Sequence, residues 1–407
     1  MSSSHPITVA RRRVFYIPGY DPIHPRRYRE LYRKQGTAQA AISGYDLTLK
    51  PSPKGAHYGW QVDSRMDGAL THADVEVLVW SDIVRDSMDA SIPGTYLQLV
   101  RTAWTYIASG ALRRLMYLRK GPVIAALYPV GMLIVQLLLA VVLWLLIWRV
   151  GAAIWPTVGA WIGGSAGAVA FVYVLRWFKS KDGKFFAYYL MHDYAFSAAS
   201  QGANPPALEA RMVEFANSIA AALEDDVDEV LVVGHSSGAH LAVSIIADLI
   251  RAGRVSATGP ALAFLSLGQV VPMVSFLPKA QRLRADLQFL SMRGEITWVD
   301  VTAPGDGCAF ALCDPVAVSG VAPPNKLWPL VFSAAFTQTL SPERWKALRW
   351  RFFRLHFQYL CAFDRPKDYD YFQITAGPMT LADRYAGRPP SKSRIDISVS
   401  KYTSVAA

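Results

Sequence analysis

The chain is patterned in short apolar runs separated by polar, Gly- or Pro-containing stretches. Residues 230–233 are four aliphatics in a row, followed by Gly234-His235-Ser236-Ser237-Gly238 and then by small and apolar residues through Ala242. A run of that length bounded by glycine predicts a buried strand, a sharp turn carrying Ser236, and a helix over 237–252. Similar runs predict strands at 14–17, 75–80, 261–267 and 296–301, and a β-hairpin from 46–50 and 58–63 joined by Pro51-Ser52-Pro53-Lys54-Gly55. Helical spacing fits 24–41, 185–203, 207–223 and 279–292. Strands alternating with helices in this way predict an α/β fold with a mostly parallel sheet covered on both faces.

Two further runs do not fit a soluble domain. Residues 121–148 carry no charge, nor do 150–175, and only Arg149 separates them. Each exceeds the roughly 20 residues that cross a bilayer, so a transmembrane hairpin is expected, with helices at about 122–148 and 153–175 and a turn between Trp148 and Pro156. Trp144, Trp148 and Trp155 cluster near that turn, and Trp177 lies at the far end, as interfacial aromatics do. Gly159, Gly163 and Gly167 form a small-residue ridge for the first span to pack on. Arg113, Arg114, Arg119 and Lys120 precede the hairpin, and Arg176, Lys179, Lys181 and Lys184 follow it. Both ends are therefore expected on the cytoplasmic side. Ahead of the hairpin, 97–120 is expected to be one basic amphipathic helix at headgroup depth or in the core.

The totals sharpen this picture. Apolar residues make up 52% of the 407, and a mean hydropathy of +0.19 is high for a soluble enzyme. A net charge of +11 suits an anionic lipid surface or a nucleic acid. No zinc-finger spacing or other nucleic-acid motif is present, so no nucleic-acid partner is expected. Three cysteines give neither a disulfide framework nor a paired metal spacing, so no metal and no cofactor are expected. The first ten residues are polar and lead through Arg11-Arg12-Arg13 into the first strand, so no signal peptide is expected.

The chemistry gathers around Ser236. A bare Gly-x-Ser-x-Gly arises by chance in on the order of one chain in ten of this length; the aliphatic strand before it and the small helix formers after it make this one far rarer. Glycines at 234 and 238 allow the neighbouring chain to pass close to a serine raised on a strained turn. With these flanks the pentapeptide resembles the α/β-hydrolase superfamily, particularly its lipases and esterases. The resemblance implies that Ser236 is a nucleophile and that an oxyanion hole is built from the backbone N–H groups of Ser237 and of Tyr20, in Pro18-Gly19-Tyr20-Asp21-Pro22. It covers the soluble parts, about 300 residues on ordinary domain sizes, and not the hairpin.

A serine hydroxyl needs a base, and the base an orienting acid. The superfamily's chain order is nucleophile, acid, histidine. Only His240 and His356 follow Ser236, and His240 lies one turn along the same helix, better placed to pack than to reach back. His356 is the expected base. For the acid, Asp306 on the turn after the 296–301 strand is favoured, with Asp314 the alternative and Asp300 inside the strand. The expected organisation is 11–95 and 185–385 forming one hydrolase-like domain, 96–184 a membrane-associated insertion, and 386–407 a tail. The expected function is a membrane-anchored serine hydrolase of an acyl ester, plausible for a lipid-like substrate; transfer of the acyl group to another acceptor, or a catalytically silent membrane scaffold, are the other readings. Because the insertion leaves the carboxyl end of a strand, it is expected to hold the active-site edge near the bilayer, with 344–354 either approaching that interface or packing on the core.

Overall fold

The computed structural model describes residues 8–52, 57–88 and 91–406. Eight strands form one mixed sheet: β1 (Arg11–Ile17), β2 (Asp46–Pro51), β3 (Gly59–Met66), β4 (Ala69–Val77), β5 (Glu229–His235), β6 (Ala261–Leu267), β7 (Ile296–Thr302) and β8 (Leu330–Ser333), in the order β2-β3-β4-β1-β5-β6-β7-β8. From β4 to β8 every pairing is parallel, whereas β2 and β3 add an antiparallel edge. The expected hairpin forms as β2 and β3. Residues 53–55 of its expected turn lie outside the described residues.

Strand period decides the two faces. In β1, Phe15 and Ile17 join a core with Val230, Val232, Phe264 and Trp298, while Val14 and Tyr16 point the other way with Leu231, Val233, Leu265 and Val299. All seven residues of β5 are buried, as a strand covered on both faces requires. The register pairs Tyr16 with Val77, Ile17 with Gly234, His235 with Leu267, and Leu267 with Val301. The carboxyl ends of β4, β1, β5, β6 and β7 therefore meet along one edge.

Among the described residues the helices of eight residues or more are α1 (Arg26–Ser43), α2 (Ile92–Ala108), α3 (Ala111–Leu118), α4 (Lys120–Ile154), α5 (Val158–Ser180), α6 (Ala187–Ala199), α7 (Pro206–Leu223), α8 (Gly238–Arg251) and α9 (Gln281–Ser291); of the shorter ones, α10 (Phe352–His356) bears on the site. Helices α7, α8 and α9 supply the first core, and α1 with the late chain from Leu355 to Tyr385 covers the second. The expected single helix over 97–120 is two, because Gly110 takes a left-handed conformation (φ 76°) that ends one and starts the next.

Helices α4 and α5 are long and apolar enough to cross a membrane, and only 17% of the most apolar stretch of each is buried. A soluble core helix of that composition would be mostly buried. The first helix runs past Arg149 to Ile154, longer than expected, since Arg149 sits on an open face where it breaks nothing; Pro156 stops it, disfavouring helical backbone at Trp155. At 1.5 Å per residue α4 is about 52 Å long, and its buried residues (Pro122, Val123, Pro129, Leu133, Gln136, Ala140) lie in its first two-thirds. That part docks on the α/β body. The expected glycine ridge packs closely: a Cβ at Gly163 would lie 2.9 Å from the Ile147 carbonyl oxygen, and Trp144 Nε1 donates to the Gly164 carbonyl at 3.0 Å. Strand β8 is absent from the sequence reading because its four residues sit among Pro323, Pro324 and Pro329 and carry no alternation.

Candidate functional site

The turn between β5 and α8 holds Ser236 at φ 56°, left-handed backbone that a non-glycine residue occupies at a cost of about 1–3 kcal/mol. Its N–H donates to the Leu267 carbonyl (2.9 Å) and its own carbonyl accepts from the Ala239 N–H (3.1 Å). The chain crowds it from both sides. A Cβ at Gly19 would come 2.9 Å from the Ser236 Cβ, and one at Gly238 would strike the Ile17 carbonyl. Glycine at 19 and 238 is thus a packing requirement of the raised serine.

Asp306 follows β7 on a turn closed by its N–H to the Ala303 carbonyl (2.8 Å). Its carboxylate accepts the Cys308 N–H at 2.9 Å on Oδ1, and His356 Nδ1 at 2.7 Å and the Tyr359 hydroxyl at 3.0 Å on Oδ2. Burial pushes the Asp306 carboxyl up, but the His356 charge and these hydrogen bonds together outweigh it and hold it below its ordinary range. With Nδ1–H given to Asp306, His356 keeps Nε2 for another partner. His356 ends α10, and its backbone carbonyl accepts from His235 Nε2 at 3.0 Å. His235, the residue before Ser236, is held down to about 3 by burial and by the neighbouring His356, so it is neutral and its Nε2 must carry the proton. It ties the serine turn to the histidine segment.

Ser236, Ser237, Gly19, Tyr20 and His356 line one cavity of about 90 Å³. The 18–22 turn is pinned there: Tyr189 donates to the Tyr20 carbonyl, and the Asp21 carboxylate accepts from Arg27, Tyr28 and the Ile23 N–H. Among the described residues, neither the Tyr20 nor the Ser237 backbone N–H is spent in a turn hydrogen bond.

The chain matches no protein-family model, no curated protein and no solved structure. The residues themselves therefore carry the functional reading.

The remaining sequence candidates sit apart from this group. Asp314 caps the 315–318 turn of helix through Oδ1, which accepts from Val316 and Ala317, and Oδ2 accepts from Lys326 at 2.6 Å. Asp300 is buried in β7 against Ser266 (2.5 Å) and pushed up to about 8 by burial. His240 is enclosed in α8 and held down to about 4 by burial. Of the 344–354 segment, Phe353 lines the cavity and meets Phe186 in a tilted ring contact (5.0 Å), Phe352 lies against Gly307, and Trp350 is exposed. Phe352 and Phe353 thus take the packed setting expected for the segment.

Sequence reasoning missed Asp193. It projects from α6 into the same cavity, among Tyr106, Tyr189 and Tyr194, with no hydrogen-bond or ion-pair partner among the described residues. Burial pushes its carboxyl up to about 7 despite the pull of His356. No motif marks it; an acid inside an aromatic helix (Tyr188-Tyr189-Leu190-Met191-His192-Asp193-Tyr194) was the available signal. Asp306, Cys308 and His356 also offer one ligand atom each within 4.8 Å of one another. The carboxylate there is already engaged by three donors, and burial pushes the Cys308 thiol up, so the set fits a hydrogen-bonded acid–imidazole pair better than a cation's donors.

Proposed function

We propose that the protein is a membrane-anchored serine hydrolase of the α/β-hydrolase type that cleaves an acyl ester. One observation carries the reading: a serine in left-handed backbone at a strand-to-helix turn shares a cavity with an imidazole whose far nitrogen is held by a buried carboxylate at 2.7 Å. The mostly parallel sheet, with its carboxyl edge under the cavity, supports the same reading.

In this mechanism Ser236 Oγ attacks the ester carbonyl while its proton passes to His356 Nε2, and the Asp306 carboxylate stabilises the imidazolium. The carbonyl oxygen takes the negative charge, received by the N–H groups of Tyr20 and Ser237 at the positive end of α8. The Ser236 N–H is excluded from that role by its bond to Leu267. Collapse breaks the ester C–O bond, and the alcohol leaves with the proton from His356. Water then repeats the sequence on acyl-Ser236, releasing the acid. In this reading helices α4 and α5 are the anchor, and the Lys and Arg residues flanking them favour a hydrolase body on the cytoplasmic side.

The test is labelling of the full chain, in detergent or nanodiscs, with a fluorescent alkyl phosphonate. The wild type is expected to label at Ser236 and the Ser236→Ala variant to stay dark. A wild type that does not label contradicts the proposal.

A further inference from the structure

A second cavity, of about 150 Å³, lies against the first, and three residues (Tyr106, Tyr194 and Met273) wall both. Its other walls come from the helices around the hairpin: α2, α3, the first turns of α4, and α6. No charged side chain lines it. The shared wall is held by the Tyr106 hydroxyl, which donates to the Met273 carbonyl at 3.0 Å. On its outer side the chamber is bounded by Ile107 and Leu127, which are 62% and 48% exposed. Leu127 lies within the uncharged run of α4, whose later turns pack on α5.

From this arrangement we infer that the second cavity is an acyl-chain chamber, filled by the fatty chain of a membrane-derived ester whose carbonyl sits at Ser236. Three observations point the same way. The chamber offers a guest almost nothing to hydrogen-bond. It abuts the serine cavity, with Tyr106, Tyr194 and Met273 forming the boundary between the two. It opens beside the helix that leads to the bilayer. An apolar cavity of roughly 150 Å³ stays dry and accepts a guest the size of benzene, so the chamber itself suits a stretch of about six carbons, with further carbons emerging past Ile107 and Leu127. The inference rests on the hydrolase reading for the identity of the ester, but the chamber's preference for an apolar chain can be tested without it.

The experiment compares p-nitrophenyl acetate with p-nitrophenyl octanoate on the full-length wild type, on Ala126→Trp, which fills the chamber from α4, and on Ala103→Phe, which fills it from α2. In the wild type kcat/KM for octanoate should exceed that for acetate by about tenfold or more, since single methylenes in such pockets are worth that much. Both variants should lose the octanoate advantage while acetate turnover stays within about twofold. A wild type indifferent to chain length, or variants that keep the advantage, overturns the inference. Photolabelling with a diazirine-bearing octanoic acid separates the two failures. If no ester is turned over and Ser236 does not label with phosphonate, crosslinks on Leu115, Val130 or Met191 that octanoate competes away still uphold the chamber. Crosslinks only elsewhere overturn it.

Discussion

The serine cavity has two walls built on different physics. On the sheet side, Asp306 is fixed by three donors, His356 by Asp306, and the serine turn by Leu267, Ala239 and close contact with Gly19. On the helical side, Tyr106, Tyr189, Tyr194 and the α4 start at Pro122 present rings and apolar surface, with one carboxyl, Asp193, among them. The aspartate behind His356 and the one lining the cavity are thus driven in opposite directions: Asp306 below its ordinary range by its partners, Asp193 up to about 7 by burial without them. In the proposed mechanism, preorganised charge belongs to the wall assigned the chemistry, and apolar area to the wall assigned the substrate.

The comparison breaks most sharply at the serine. Ser236→Ala should lower ester turnover by about 10⁶-fold, the loss typical of removing such a nucleophile, measured against a slow reporter ester. Asp306→Asn should cost about 10⁴-fold through the wrong imidazole tautomer. Asp193→Asn should keep turnover within about tenfold of the wild type and remove an inflection near pH 7 from the rate profile. Equal losses for the two aspartates would erase the distinction between the walls. Asp314→Ala sharpens it from outside the cavity, losing about 1 kcal/mol from the helix cap by denaturant titration with turnover unchanged.

The smallest effect is in stability against pH. The folded chain keeps the Asp193 proton up to about 7, whereas the unfolded chain releases it near 3.8. Between those values the folded state binds more protons, so this residue makes stability fall as pH rises. Asp300, held up to about 8, acts in the same direction. Asp193→Asn should therefore flatten, without abolishing, the decline in thermal midpoint from pH 4 to 8.

How much of this the sequence carried depended on whether a feature was local. The Ser236 turn was legible because its strand, glycines and helix are contiguous, and each is needed for close approach. The hairpin was legible from uncharged length alone, although its turn falls where Pro156 sits and not where Arg149 does. His356 and Asp306 were reachable only through a resemblance in chain order, since 50 residues separate a pair that meets at 2.7 Å. Asp193 and His235 were not: what distinguishes them is enclosure by distant elements, which no local pattern records. Strand β8 was lost for the opposite reason, being too short to show a period.

Hydrolysis by the proposed route requires the acyl group to pass through Ser236. Wild-type protein mixed with p-nitrophenyl octanoate, quenched in acid within the first turnovers and mapped by peptide mass, tests this directly. The account predicts an octanoyl adduct on the peptide containing Ser236 that decays as free octanoate appears. Octanoate release with that peptide unmodified, or an adduct on another residue, contradicts it.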